Sequence, residues 1–91
     1  MAVPEGIDPD SVRAFLASLP DVKEVHDLHI WAMSTTETAL TVHLVCRDGG
    51  VDDAFLAQAA HDLDHRFGIR HSTIQIETGT YECRLAPADV V

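Results

Sequence analysis

Six histidines fall within 91 residues. Imidazole is the side chain best suited to both proton transfer and metal ligation near neutral pH, so their placement carries most of the functional information. Zinc takes imidazole nitrogen, thiolate sulfur and carboxylate oxygen in tetrahedral sites. His43, His71 and Glu77 can supply such atoms from one face of a sheet if their segments form adjacent strands. His26 precedes them in the chain, but strict alternation gives it the same parity as Leu28, which faces the core. It joins the others only if its strand begins near Asp27 or is bulged there. His61 and His65 are spaced i, i+4, a pair that can chelate a metal from one helix face. Asp62 stands where a zinc protease would need Glu, and the ordinary reading of the pair is a solvated face. Cys83 lies six residues beyond Glu77 and reads either as a soft ligand folding back or as a free thiol. Cys46 has core parity and reads as a small buried hydrophobe. Trp31 is a core edge or an interface anchor.

The elements that must position these side chains are marked by caps and periodicity. Residues 1–7 read as a flexible lead-in, with Pro4 and Gly6 as breakers. Asp8-Pro9-Asp10 is a helix start, with Asp8 as N-cap and Pro9 at the first helical position. Val12, Phe15, Leu16 and Leu19 then form one apolar stripe, and Pro20 stops the helix. A strand is predicted from Val25 to Met33, with Asp27, His29 and Trp31 on one face. Ala39 to Cys46 is a second strand, with Leu40, Val42, Leu44 and Cys46 pointing to the core. A second helix runs from about Asp52 to Phe67, with Gly68 as its terminator. His71 to Glu77 alternates as a third strand, with Ile74 and Ile76 facing inward. The predicted unit spans residues 8–78, with 79–91 a tail. The order α-β-β-α-β predicts a two-layer α+β domain, with two helices on one face of a three-stranded mixed sheet. The third strand is expected to pair parallel to the first, giving a ferredoxin-like half-sheet.

Composition narrows the function. Apolar residues are 46 % of the chain, too many for a disordered segment. The net charge of -9 argues against nucleic acid as a partner and favours metal cations or a basic protein. No apolar stretch approaches the roughly 20 residues of a membrane helix, so no direct membrane insertion is expected. Two distant cysteines make no disulfide framework and suggest a reducing, intracellular setting. No Ser or Cys nucleophile is paired by motif with a histidine, and no glycine-rich phosphate loop is present, so an enzyme is not expected.

Three strings together resemble one family. Val25-His26-Asp27-Leu28-His29-Ile30-Trp31, Ala39-Leu40-Thr41-Val42-His43-Leu44, and Phe67-Gly68-Ile69 followed by His71-Ser72-Thr73-Ile74-Gln75-Ile76-Glu77 look like the cytosolic C-terminal domain of cation diffusion facilitators. These are proton-coupled efflux transporters for zinc and other divalent cations. The likeness covers roughly residues 8 to 78. It implies a metallochaperone-like α-β-β-α-β fold, a V-shaped homodimer, and a cytosolic metal site, Zn2+ or another divalent transition metal, whose filling favours a closed dimer. It implies that His26, His43 and Glu77 are metal positions and that His71 matches a histidine common at the start of the third strand. Some members carry histidine where this chain has Gln75, and some zinc transporters carry a CxxC where only Cys83 stands here. The six membrane helices of such transporters are absent from this stretch. The expectation is therefore a cytoplasmic domain of an integral membrane transporter, paired with the transmembrane domain of the same parent chain. Two alternatives remain: a constitutive dimerisation module with no regulatory metal, and a stand-alone metallochaperone-like binding domain.

Overall fold

A computed structural model of the chain describes residues 3–47 and 51–78. The first helix, α1, is Pro9–Ala17. Asp8 caps it: Oδ1 accepts from the Asp10 amide at 3.0 Å, and Oδ2 accepts from the Ser11 hydroxyl at 2.9 Å. These bonds satisfy donors that an uncapped helix start leaves bare. Val12, Phe15 and Leu16 are buried. The helix ends at Ala17, before Pro20 can act, and the Ser18 hydroxyl donates to the Phe15 carbonyl at 2.6 Å. Leu19 leaves the helical spacing but still packs on the core. The lead-in folds back as well, with the Ile7 amide bonded to the Pro4 carbonyl and Ile7 packed against the core.

Strand β1 is Val22–Ala32, three residues longer at its start than the hydrophobic pattern indicates, and β2 is Thr38–Cys46. Helix α2 is Asp53–Phe67, capped by Asp52, whose Oδ1 accepts from the Phe55 amide at 2.9 Å. Gly68 ends it in the left-handed region, at φ 71°, where glycine carries no Cβ penalty. The Gly68 and Ile69 amides then close back onto the Asp64 and Leu63 carbonyls. Strand β3 is His71–Glu77.

The strand order is β1-β2-β3, with β1 and β2 antiparallel and β2 and β3 parallel. The α+β class and the two helices on a three-stranded mixed sheet are as expected, but the pairing of β3 is not. It runs parallel to β2, not to β1. β2-α2-β3 is a crossover unit whose helix returns the chain beside the strand it left, whereas β1 is tied to β2 by a short hairpin and takes the other edge.

The core lies between the helices and one sheet face. Val12, Phe15 and Leu16 of α1 and Leu63 of α2 meet Ile30, Leu40, Val42, Leu44 and Cys46. Phe15 and Phe67 meet edge-on at 5.8 Å and join the two helices. Cys46 is fully buried, and burial, with a smaller contribution from Asp21, pushes its thiol pKa up. A thiol so placed supplies little thiolate. Cys46 is expected to resist iodoacetamide in the folded chain and to react once the chain is unfolded in urea, as peptide mapping by mass spectrometry would record.

Candidate metal centre

The opposite sheet face carries the strand histidines, and a bulge in β1 decides which of them meet. His26 pairs with His43, but the next paired residue, His29, faces Thr41. Three steps on β1 match two on β2, so one residue is extra. Asp27 sits inside that irregularity with φ 53°. Among residues with a side chain, Asp is one of the few that tolerate the left-handed region. The bulge shifts parity by one. His26 therefore leaves the core face predicted by alternation and shares the face of His43 and His29. Arg13 of α1 holds the strand just ahead of the bulge, its Nη1 donating to the Val25 carbonyl at 2.9 Å.

Parallel pairing of β2 with β3 completes the cluster. Gln75 lies opposite His43 and Glu77 opposite Val45, so Glu77 enters from the end of β3. Its Oε1 is 3.1 Å from His26 Nε2 and its Oε2 is 3.0 Å from His43 Nδ1. From the other side, Asp27 Oδ2 stands 3.5 Å from His26 Nδ1 and 3.6 Å from His43 Nδ1. The two imidazoles meet edge-to-face with centroids 5.3 Å apart. One donor atom each from His26, Asp27 and His43 falls within a 4.8 Å span. His26 and Asp27 are buried.

Two atoms here are unusual. His26 Nδ1 and Asp27 Oδ2 are shielded from solvent and have no hydrogen-bond partner among the described residues. Their 3.5 Å separation is too long for a good hydrogen bond. A buried polar atom left in this condition costs about 1–3 kcal/mol. A cation drawn between them would satisfy both, and two imidazoles with two carboxylates are a donor set that zinc accepts. The residues present therefore fit a divalent transition metal.

The residues singled out from sequence separate clearly. His26, His43 and Glu77 come together. Asp27, which was assigned only to the polar face, belongs with them; the signal was a carboxylate directly following the one histidine whose parity required a bulge. His71 is not brought to the cluster. It opens β3 while Glu77 closes it, about 20 Å away by strand rise, and its Nε2 lies 3.3 Å from Glu37 Oε2 in an exposed pair. Cys83 lies outside the described residues. Asp27→Gly is expected to keep the bulge, since glycine adopts the same φ freely, while lowering zinc affinity about 10–100-fold. A chelator-dye competition alongside a thermal melt separates the two effects.

A family model described as the cytoplasmic domain of cation efflux proteins matches residues 4–79. The chain belongs to that family. Among curated relatives, the "Metal cation efflux system protein CzcD" of Cupriavidus metallidurans is 38% identical over 82 residues, 88% of this chain and 26% of its own length. The "Probable proton-coupled zinc antiporter SLC30A3" of Rattus norvegicus is 36% identical over 74 residues, 81% of this chain and 19% of its own. The chain thus spans about a fifth to a quarter of the length of these relatives. Among solved structures, the metal-bound C-terminal domain of the Cupriavidus CzcD transporter aligns with a TM-score of 0.69 at 37% identity, covering 78% of this chain and 99% of that one. The Zn form of the transporter CzrB aligns at 0.59 and 26% identity, covering 88% and 99%. The cation-efflux cytoplasmic domain is therefore the family, as the three strings indicated. No described helix is long and apolar enough to cross a membrane.

Proposed function

We propose that this chain is the metal-sensing and dimerising domain of a proton-coupled divalent cation efflux transporter, with zinc as the cation and the transmembrane part of the same parent protein as its neighbour. The observation that carries the reading is the pair of buried, unpartnered donor atoms on His26 and Asp27, flanked by His43 and Glu77. The family and the zinc transporters among the relatives support it. His26, Asp27, His43 and Glu77 are the proposed ligands.

The proposed mechanism is a population shift. Each copy carries a net charge of -9, so two copies repel when brought close. Positive charge held in the central cluster offsets that repulsion and favours a closed over a splayed dimer. The four side chains come from all three strands of one sheet, joined through a bulge anchored to α1, so ordering the cluster also stiffens the sheet face. The size of the shift is set by the differential affinity of the two dimer shapes for the cation.

Protons compete with a metal for imidazole and carboxylate ligands, so zinc binding is expected to be weaker at about pH 5.5 than at about pH 7.5. Isothermal titration across that range checks it. Small-angle scattering through a zinc titration at neutral pH tests the mechanism itself. The expected result is a contraction of a dimer that saturates with zinc. An unchanged dimer profile contradicts the sensing role and leaves a constitutive dimerisation module.

A further inference from the structure

A second group of histidines lies away from the central cluster, on the outer surface of α2. His61 and His65 are both exposed, and their rings stack with centroids 5.9 Å apart and an interplanar angle of 7°. No hydrogen bond or ion pair to any described residue holds either ring. Side chains at i and i+4 are neighbours on a helix, with Cβ atoms about 5–6 Å apart, and two histidines so spaced can share one metal ion. Here the rings are already parallel and on one face, and being exposed they can rotate to aim their nitrogens at a common point.

The electrostatics of the position favour a cation. His61 and His65 occupy the last two turns of α2, where the carbonyl ends of the helix dipole are negative. Asp64, exposed three residues from His61, adds charge on the same flank. Arg66, the neighbour of His65 in the chain, lies over an aromatic ring, with its Cζ 5.0 Å from the centre of the Phe15 ring. Asp62 is turned along the helix, accepting from Gln58 Nε2 at 3.0 Å.

We infer that His61 and His65 form a second, surface chelating site for imidazole-preferring divalent ions such as Ni2+, Cu2+ or Zn2+, with solvent completing the coordination. It shares no residue with the central cluster, so either site can fail without the other. It differs in kind as well. The central donors are buried or half-buried and closed in by carboxylates, whereas the α2 pair is open and able to take an ion that still carries other ligands.

That difference supplies the test. Nickel held by nitrilotriacetate keeps only two adjacent coordination positions open, which two imidazoles at i, i+4 can fill and the buried His26 cannot reach. Untagged full-length chain is passed over a surface loaded with this ion. Binding is expected, and His61→Ala and His65→Ala are each expected to weaken it about 100-fold, because each converts two linked contacts into one. His71→Ala, which removes another exposed histidine, is expected to leave binding unchanged. Circular dichroism of each variant checks that α2 is intact, and His61→Gln and His65→Gln repeat the test with residues of high helix propensity. Failure of the parent chain to bind, or equal binding by the α2 variants, overturns the inference, as does loss of binding in His71→Ala alone.

Discussion

Alanine at His43 is expected to lower the domain's zinc affinity by at least about 100-fold, since even groups that only orient a metal ligand cost 10–100-fold when removed. Unlike His26, which uses a different ring nitrogen for each, His43 faces both carboxylates through one nitrogen. Its Nδ1 lies 3.0 Å from Glu77 and 3.6 Å from Asp27. It is also the better site for a clean test than His26. The His43 side chain is 24% exposed against 5% for His26, so its removal leaves a solvated notch and not a buried void. His26→Ala, in contrast, strands the buried Asp27 carboxylate without either its nearest imidazole or solvent, and is expected to reduce stability along with affinity. Competition with a zinc-chelating dye, run beside thermal melts of both variants, distinguishes a binding loss from a folding loss. Unaltered affinity in folded His43→Ala protein would remove His43 from the ligand set.

The largest effect on stability is expected at Leu44. It is fully buried in the central strand and belongs to the core cluster with Leu40 and Val42 on the same face. Leu44→Ala is expected to cost about 2–5 kcal/mol. A chain of this length has only about 5–14 kcal/mol in total, so the loss is a large fraction of it. The melting temperature is expected to fall by at least about 10 °C. Because His43 and Leu44 are neighbours on β2 with opposite facings, the histidine–carboxylate cluster and the core share one strand. Zinc at about 100 times its dissociation constant is expected to return about 2.7 kcal/mol to Leu44→Ala, since it binds only the folded chain. Thermal melts with and without zinc read this directly, and the rescue is expected to vanish when His43→Ala is added.

The parts of the fold that were legible in the sequence are those fixed by local chemistry. Asp8, Asp52 and Gly68 mark helix ends because capping and left-handed termination depend on a few adjacent residues. Strand β2 is readable because one face is wholly buried and alternation there is strict. Three features were not legible for reasons that lie outside the local pattern. The bulge at Asp27 breaks the period of two, and a single inserted residue leaves no compositional mark beyond an Asp able to take positive φ. The partner of β3 depends on where the crossover helix returns the chain, which spacing alone does not encode. The meeting of Glu77 with His26 and His43 depends on both. His71 illustrates the limit from the other side: its face is right, but its position on the strand puts it at the far end. The family resemblance supplied the candidate positions His26, His43 and Glu77, and the geometry adds Asp27 as a further candidate.

Native mass spectrometry of the full chain, with and without zinc, tests the central claim most directly. Using a chain that carries His61→Ala and His65→Ala confines the count to the central cluster. The account predicts a dimer that takes up at least one zinc per subunit, and loses that uptake when His43→Ala is added. A dimer that binds no zinc, or one whose zinc count is indifferent to His43, would contradict it.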